Sequence, residues 1–197
     1  MPRRYDPERR DRIVAAAVRV VAARGLGALS HRAVAAEADV PLGSTTYHFA
    51  TLDDLLVEAV RSTAREWLDG LAAWERELPP DAPLADAVAD LVGEALAGDR
   101  SRLELEYELY AAALRRPAVR PVAAECVAEM VRTVHRRTAD EATARALVAL
   151  LDGLLLQHLV SGRPFDRAEV RDAVARLAGC GRPPGGPGDG TRDSGSP

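Results

Sequence analysis

Residues 40–49 read Val40-Pro41-Leu42-Gly43-Ser44-Thr45-Thr46-Tyr47-His48-Phe49, a short polar helix entered through a proline and closed by an aromatic ring. Just upstream, Ser30 is placed to cap a helix reaching about Glu37, with Ala33 and Val34 on its buried side. Ala38, Asp39 and Val40 between the two make a tight turn, and aspartate tolerates a left-handed backbone there. Further back, Asp6 can cap and Pro7 can open a first helix, on which Ile13, Ala17, Val20 and Val21 recur at helical spacing. Gly25 and Gly27 end it. Three helices within fifty residues, the last two short and joined by a brief turn, describe a helix-turn-helix unit.

Downstream, Thr51 with Asp54 opens a long fourth helix in the manner of a capping box, and Leu56, Val60, Thr63, Trp67, Leu71 and Trp74 stripe it as far as Pro79-Pro80. Further helices are expected over 84–97, 101–114, 117–137, 139–161 and 167–178. Their breaks fall at Gly98-Asp99, Arg116-Pro117, Thr138 (read as a cap) and Gly162-Arg163-Pro164, and Asp166 with Glu169 has capping-box spacing. Composition agrees: alanine and leucine abound, aromatics reach only 4%, and β-branched runs are short. The expected fold is all-α, about nine helices, with a three-helix helix-turn-helix domain at 1–50, a helical bundle at 51–178 and a disordered tail at 179–197.

The net charge of −4 is unevenly spread. Residues 1–50 carry 8 arginines against 5 acids, and residues 51–197 carry 18 against 25. A basic end on an acidic body suits a protein that offers that end to a polyanion. Cys126 and Cys180 form neither a disulfide framework nor a zinc spacing, so no metal is expected and a reducing cytoplasm is. The amino terminus lacks the apolar core of a secretory signal, and the apolar stretches read as too short for a membrane span.

With its surroundings, the opening segment resembles the DNA-binding signature of the TetR/AcrR family of bacterial transcriptional regulators. The resemblance covers residues 8–60 and includes the lead-in from Gly25 through Leu29, Ser30, Arg32, Val34 and Ala35, then Leu52-Asp53-Asp54-Leu55-Leu56. It implies DNA contacts from Ser30, Arg32, Gly43, Ser44, Thr45, Thr46, Tyr47 and His48, with Phe49 turned inward. Ser30 suits a phosphate, Gly43 allows close approach to the major groove, and the three hydroxyl residues suit base edges. Arg3, Arg4, Arg9 and Arg10 are further candidates for phosphate neutralisation. Three positions depart from the family pattern: Pro41 replaces a capping Ser or Thr, Thr46 stands where a tyrosine is common with Tyr47 one place later, and Leu52 replaces a lysine.

The same resemblance, with the habit of helix bundles to hold ligands between helices, implies an effector pocket; Trp67, Trp74, Tyr107, Tyr110, Met130, His135 and His158 are candidate lining residues. Glu104, Glu106 and Glu108 alternate along one helix, so they point different ways, and one could meet a cationic ligand. Over 139–161 the apolar residues occupy nearly every side of a helix, which must then be covered all round. Leu147, Leu151, Leu154, Leu155, His158, Val170, Val174 and Leu177 are therefore expected at a four-helix homodimer interface.

No catalytic residues and no cofactor are expected: the four histidines have no HExxH spacing, no glycine-rich phosphate loop is present, and Ser44 lacks a nucleophile-elbow setting. The expected function is a cytoplasmic, ligand-responsive regulator, a repressor released from a palindromic operator on double-stranded DNA by a small molecule. The alternative is a helical adaptor or a small helical enzyme without DNA binding.

Overall fold

The computed structural model describes residues 8–180, which contain nine α-helices and no strand. They are α1 (Arg9–Arg24), α2 (His31–Glu37), α3 (Leu42–His48), α4 (Leu52–Glu77), α5 (Leu84–Ala97), α6 (Arg100–Ala112), α7 (Arg120–His135), α8 (Glu141–Ser161) and α9 (Arg167–Cys180). The expectations for Arg3, Arg4, Asp6, Pro7 and the tail beyond residue 180 lie outside the described residues.

Local chemistry sets most of the ends. Gly25 takes φ 76° and donates its N–H to the Val21 carbonyl, closing α1 in a conformation that costs a side-chain-bearing residue more. Ser30 accepts from the Ala33 N–H at 3.1 Å and opens α2. Asp39 turns the chain at φ 51°, the left-handed value read for it. The Thr51–Asp54 capping box is complete, with reciprocal bonds of 3.1 and 2.9 Å. Elsewhere the caps differ from expectation. Asp140, not Thr138, opens α8, because its carboxylate accepts from both the Thr143 N–H (2.7 Å) and hydroxyl (3.0 Å). Asp99 caps α6, and α7 starts at Arg120, later than residue 117, with Pro121 in its first turn. Asp166 accepts from the N–H groups of Ala168 and Glu169, but the Glu169 carboxylate turns away to Arg163, so no capping box forms.

Two apolar cores result. The first holds α1, α2 and the start of α4 together, yet it also takes in Leu105, Leu109 and Ala112 from α6, with Val119 and Val122. The reading head is therefore seated on the body through α6, across the boundary expected at residue 50. The second core joins the far half of α4 to α5, α7, α8 and α9. Between α4 and α7, Arg137 fastens the end of α4. Its guanidinium donates to the Glu75 carboxylate at 2.8 Å and to the carbonyls of Glu75, Leu78 and Pro79 at 2.6–3.0 Å.

Of the eight residues expected at the interface, Leu151, Leu154, His158 and Leu177 are half-buried and the other four are not accessible to a partner. Leu147, Leu155, Val170 and Val174 are buried within one chain, because α9 folds back on α5 and α8 and covers that side. What α8 leaves open is a different strip, with Leu156 45% and Val160 80% exposed. Contrary to the sequence reading, α8 is long and apolar enough to cross a membrane by length and composition alone. It packs on α7 and α9, however, and carries Asp152 into a cavity.

Candidate DNA-reading surface and effector pocket

Helix α3 sorts its residues by face. Successive residues step 100° round a helix, so Gly43, Thr46 and Tyr47 fall within one arc while Ser44 and Thr45 lie opposite. The outer arc is exposed, Tyr47 most of all at 83%, its ring edge-on to that of His48 at 5.2 Å. A Cβ added at Gly43 would meet nothing within 4 Å, so this is the flattest point of the surface. Ser44 and Thr45 are buried, contrary to the base-edge role expected of them. The Thr45 hydroxyl donates to the Leu42 carbonyl at 2.8 Å, and its methyl group helps to seat α3 on α2. Pro41 opens α3 with no side-chain cap. Ser30 and Arg32 at the start of α2 are exposed beside this face. Arg10 is engaged inward instead, 2.8 Å from Glu58 and 5.1 Å over the ring of Phe49, which it helps to lock in place.

The pocket lies between α4, α6, α7 and α8. A smaller cavity of about 90 Å³ is lined by Trp67, Tyr107, Tyr110, Cys126, Met130 and Asp152, among others. A wider chamber of about 570 Å³ adjoins it, sharing Trp67, Glu106 and Asp152 and adding Trp74 and Arg102. Five of the seven expected lining residues thus converge on this region: Trp67, Trp74, Tyr107, Tyr110 and Met130. His135 does not; it sits exposed at the end of α7 beside Thr138. Nor does His158, which lines a separate cleft with Arg100 and Phe165 and faces the Leu154 carbonyl at 2.9 Å.

Two carboxylates stand out in this apolar and aromatic setting. Burial pushes both Glu106 and Asp152 up from their ordinary values, since a charge there has lost much of its water. Among the described residues no arginine reaches ion-pair distance of Asp152. Tyr107 donates to the Asp152 carbonyl at 3.1 Å, tying α6 to α8, and Cys126 is pushed up to about 11 by burial, which keeps its thiol protonated. Asp152 was not among the expected pocket residues. Its signal was available: it is the one charge in the apolar run from Ala146 to Gly162.

Helix α6 connects the two regions. Leu103, Glu106, Tyr107 and Tyr110 follow i, i+3, i+4, i+7 spacing and face the pocket. Leu105, Leu109 and Ala112 form a second stripe in the head's core, and the Glu108 carboxylate on that side accepts from the Leu26 N–H at 2.5 Å. Past the end of α6, Arg116 meets Asp53 at the start of α4 at 2.5 Å. The three glutamates do point different ways: Glu104 to solvent with Arg100, Glu106 to the pocket and Glu108 to the head.

Residues 13–59 match the family described as bacterial regulatory proteins, tetR family, and residues 79–179 match a tetracyclin repressor-like C-terminal domain. Among solved structures, the multidrug binding protein EbrR complexed with ethidium is 55% identical with a TM-score of 0.80, over 88% of this chain and 99% of that one. EbrR complexed with malachite green gives 54%, 0.73, 87% and 99% in the same order. A TetR-family member from Streptomyces coelicolor A3 is 55% identical with a TM-score of 0.77, over 87% of this chain and 99% of that one. A curated relative, the HTH-type transcriptional regulator BetI 2 of Chromohalobacter salexigens, is 25% identical over 84% of each chain.

Proposed function

Since the chain belongs to the TetR family and is a ligand-responsive DNA-binding transcriptional regulator, we propose that it represses from a palindromic operator and is released by a hydrophobic organic cation. The observation that carries this is the placing of Glu106 and Asp152, both desolvated, among Trp67, Tyr107 and Tyr110. Carboxylates and aromatic faces both attract cations, and most strongly where water is excluded. The kinship with EbrR, a multidrug binding protein seen with ethidium and malachite green, supports the same chemistry.

The cavity dimensions suggest how binding becomes release. A drug-sized ligand needs ~300–1,000 Å³, which the larger chamber supplies and the smaller cavity does not. A ring that extends from the larger chamber along Trp67 into the smaller cavity pushes α6 away from α7. Because α6 also holds the head through Glu108 and its apolar stripe, that displacement reaches α3. Helix α4, which runs from the head's core to Trp67 at the cavity, gives one route, and α6 gives a second.

Asp152→Asn is expected to weaken malachite green roughly tenfold, the worth of a partly buried charge contact. Quenching of Trp67 and Trp74, the only tryptophans in the chain, reports the binding. Equal affinity in the variant and the parent argues against a cationic effector.

Two heads on one operator require a dimer, and the open strip of α8 is the surface we assign to it in the cytoplasm. Leu156→Arg with Val160→Arg is expected to give a folded monomer by sedimentation, since neither side chain is needed inside the chain. A variant that remains dimeric places the interface elsewhere.

A further inference from the structure

Arg102 lines the larger chamber from α6, one turn before Glu106. Its Nε reaches the Glu106 carboxylate at 3.3 Å, and its Nη2 reaches Glu66 on α4 at 3.7 Å. Among the described residues, Arg102 is the one basic side chain lining that chamber. The Glu106 side chain is 17% exposed and that of Arg102 55%, so the carboxylate belongs to the pocket and the guanidinium to its rim. Both contacts are long. The order is also the weaker one for a helix pair, with the cation N-terminal to the acid, and such pairs contribute only ~0.2–0.5 kcal/mol.

From this arrangement we infer that Arg102 is a resident cation occupying Glu106 in the empty pocket, and that a cationic effector must displace it. Resting on the cation reading above, this adds a determinant of selectivity. A neutral ligand of the same shape cannot take the place of the guanidinium at Glu106, so it enters with that pair still closed. A cation exchanges one ion pair for another, and only its excess over the loose Arg102 contact appears as affinity. The exchange leaves Arg102 with Glu66 alone, so the strap between α4 and α6 is reduced to one long contact at the moment the ligand needs room.

The test compares malachite green with its uncharged leuco form, which keeps the three-ring skeleton. Arg102→Gln is expected to bind malachite green ~3–10-fold tighter than the parent, the range set by a partly exposed ion pair and its repulsion of an incoming charge. Affinity for the leuco form stays unchanged, and Arg102→Lys restores parental behaviour. Arg100→Gln removes the same charge from the same helix at Glu104 rather than Glu106, and leaves both affinities as they were. If the parent prefers the cation but Arg102→Gln binds it no tighter, or Arg100→Gln tightens it equally, Arg102 is no resident counter-ion. A parent that binds the leuco form as well as the cation, or binds neither, overturns the cation reading and this inference together.

Discussion

Gly43→Glu is expected to keep the fold intact and to lose operator DNA by at least ~100-fold. The position lies in the first turn of α3, where an added Cβ meets nothing within 4 Å in the free protein. Glutamate is the better helix former by close to ~1 kcal/mol, and an acid near a helix N-terminus is favoured by the aligned peptide dipoles. Thermal stability should therefore hold or rise slightly. DNA is the one body the new side chain would meet. A carboxylate on the flattest point of the reading face holds α3 off the groove and sets negative charge against phosphate. Recognition of a single base is worth ~1–3 kcal/mol, and every ~1.4 kcal/mol is tenfold, so failure at two bases already reaches the expected effect. The gel-shift and the melting curve must be read together: unchanged melting with operator binding within a few-fold of the parent removes α3 from the interface.

Arg137→Ala should cost about 2–4 kcal/mol of folding free energy, a drop in melting temperature of roughly 5–15 °C for a chain of this size. One guanidinium there bonds a buried carboxylate and three carbonyls at the end of α4; alanine removes all four bonds, although the Pro79 carbonyl keeps the Ala82 N–H. Arg136 still reaches Glu75 at 3.2 Å, which keeps the cost below that of a fully orphaned charge. Arg136→Ala, by contrast, removes a single bond from a mostly exposed side chain and should cost less than ~1 kcal/mol. The pH dependence has a definite sign. The hydrogen bond from Arg137 holds the Glu75 carboxyl below its usual 4.5, so this stabilisation is complete above that value and is lost as the pH falls below it. The gap between parent and variant should narrow in acid to what the three carbonyl bonds contribute. A constant gap down to about pH 3, well below the ordinary glutamate range, would assign the loss to the carbonyl bonds alone.

The sequence carried the elements well and their faces less well. Ser30, Asp39 and the Thr51–Asp54 box act locally, through their own side chains on the nearest N–H groups, so they read directly from the chain. Thr45 was read as facing DNA on its chemistry, although a helical wheel puts it opposite Gly43, Thr46 and Tyr47. Its hydroxyl bonds the preceding turn, which lets a polar residue be buried with its hydrogen bond satisfied. The terminal helices show a deeper limit. Val170 and Val174 had the spacing of an interface, but spacing says that a stripe is covered and not by what; α5 of the same chain covers it. For the pocket, aromatic residues pointed to the right region, while Asp152 and the double role of α6 depended on which helices meet. Neither could be read from periodicity alone, although a lone acid in a long apolar or neutral run was the available sign.

The linkage between pocket and reading head is tested most directly by titrating the parent protein, bound to DNA flanking its own gene, with malachite green. A triarylmethane cation is preferable to ethidium, whose insertion between base pairs would disturb the DNA itself. Release by ~100-fold requires that the cation favour the non-binding state by about 2–3 kcal/mol. The predicted result is loss of operator affinity over the same concentration range in which Trp67 and Trp74 are quenched. Quenching that saturates while operator affinity stays constant would contradict the account, because the pocket would then be filled without moving α6 and α3.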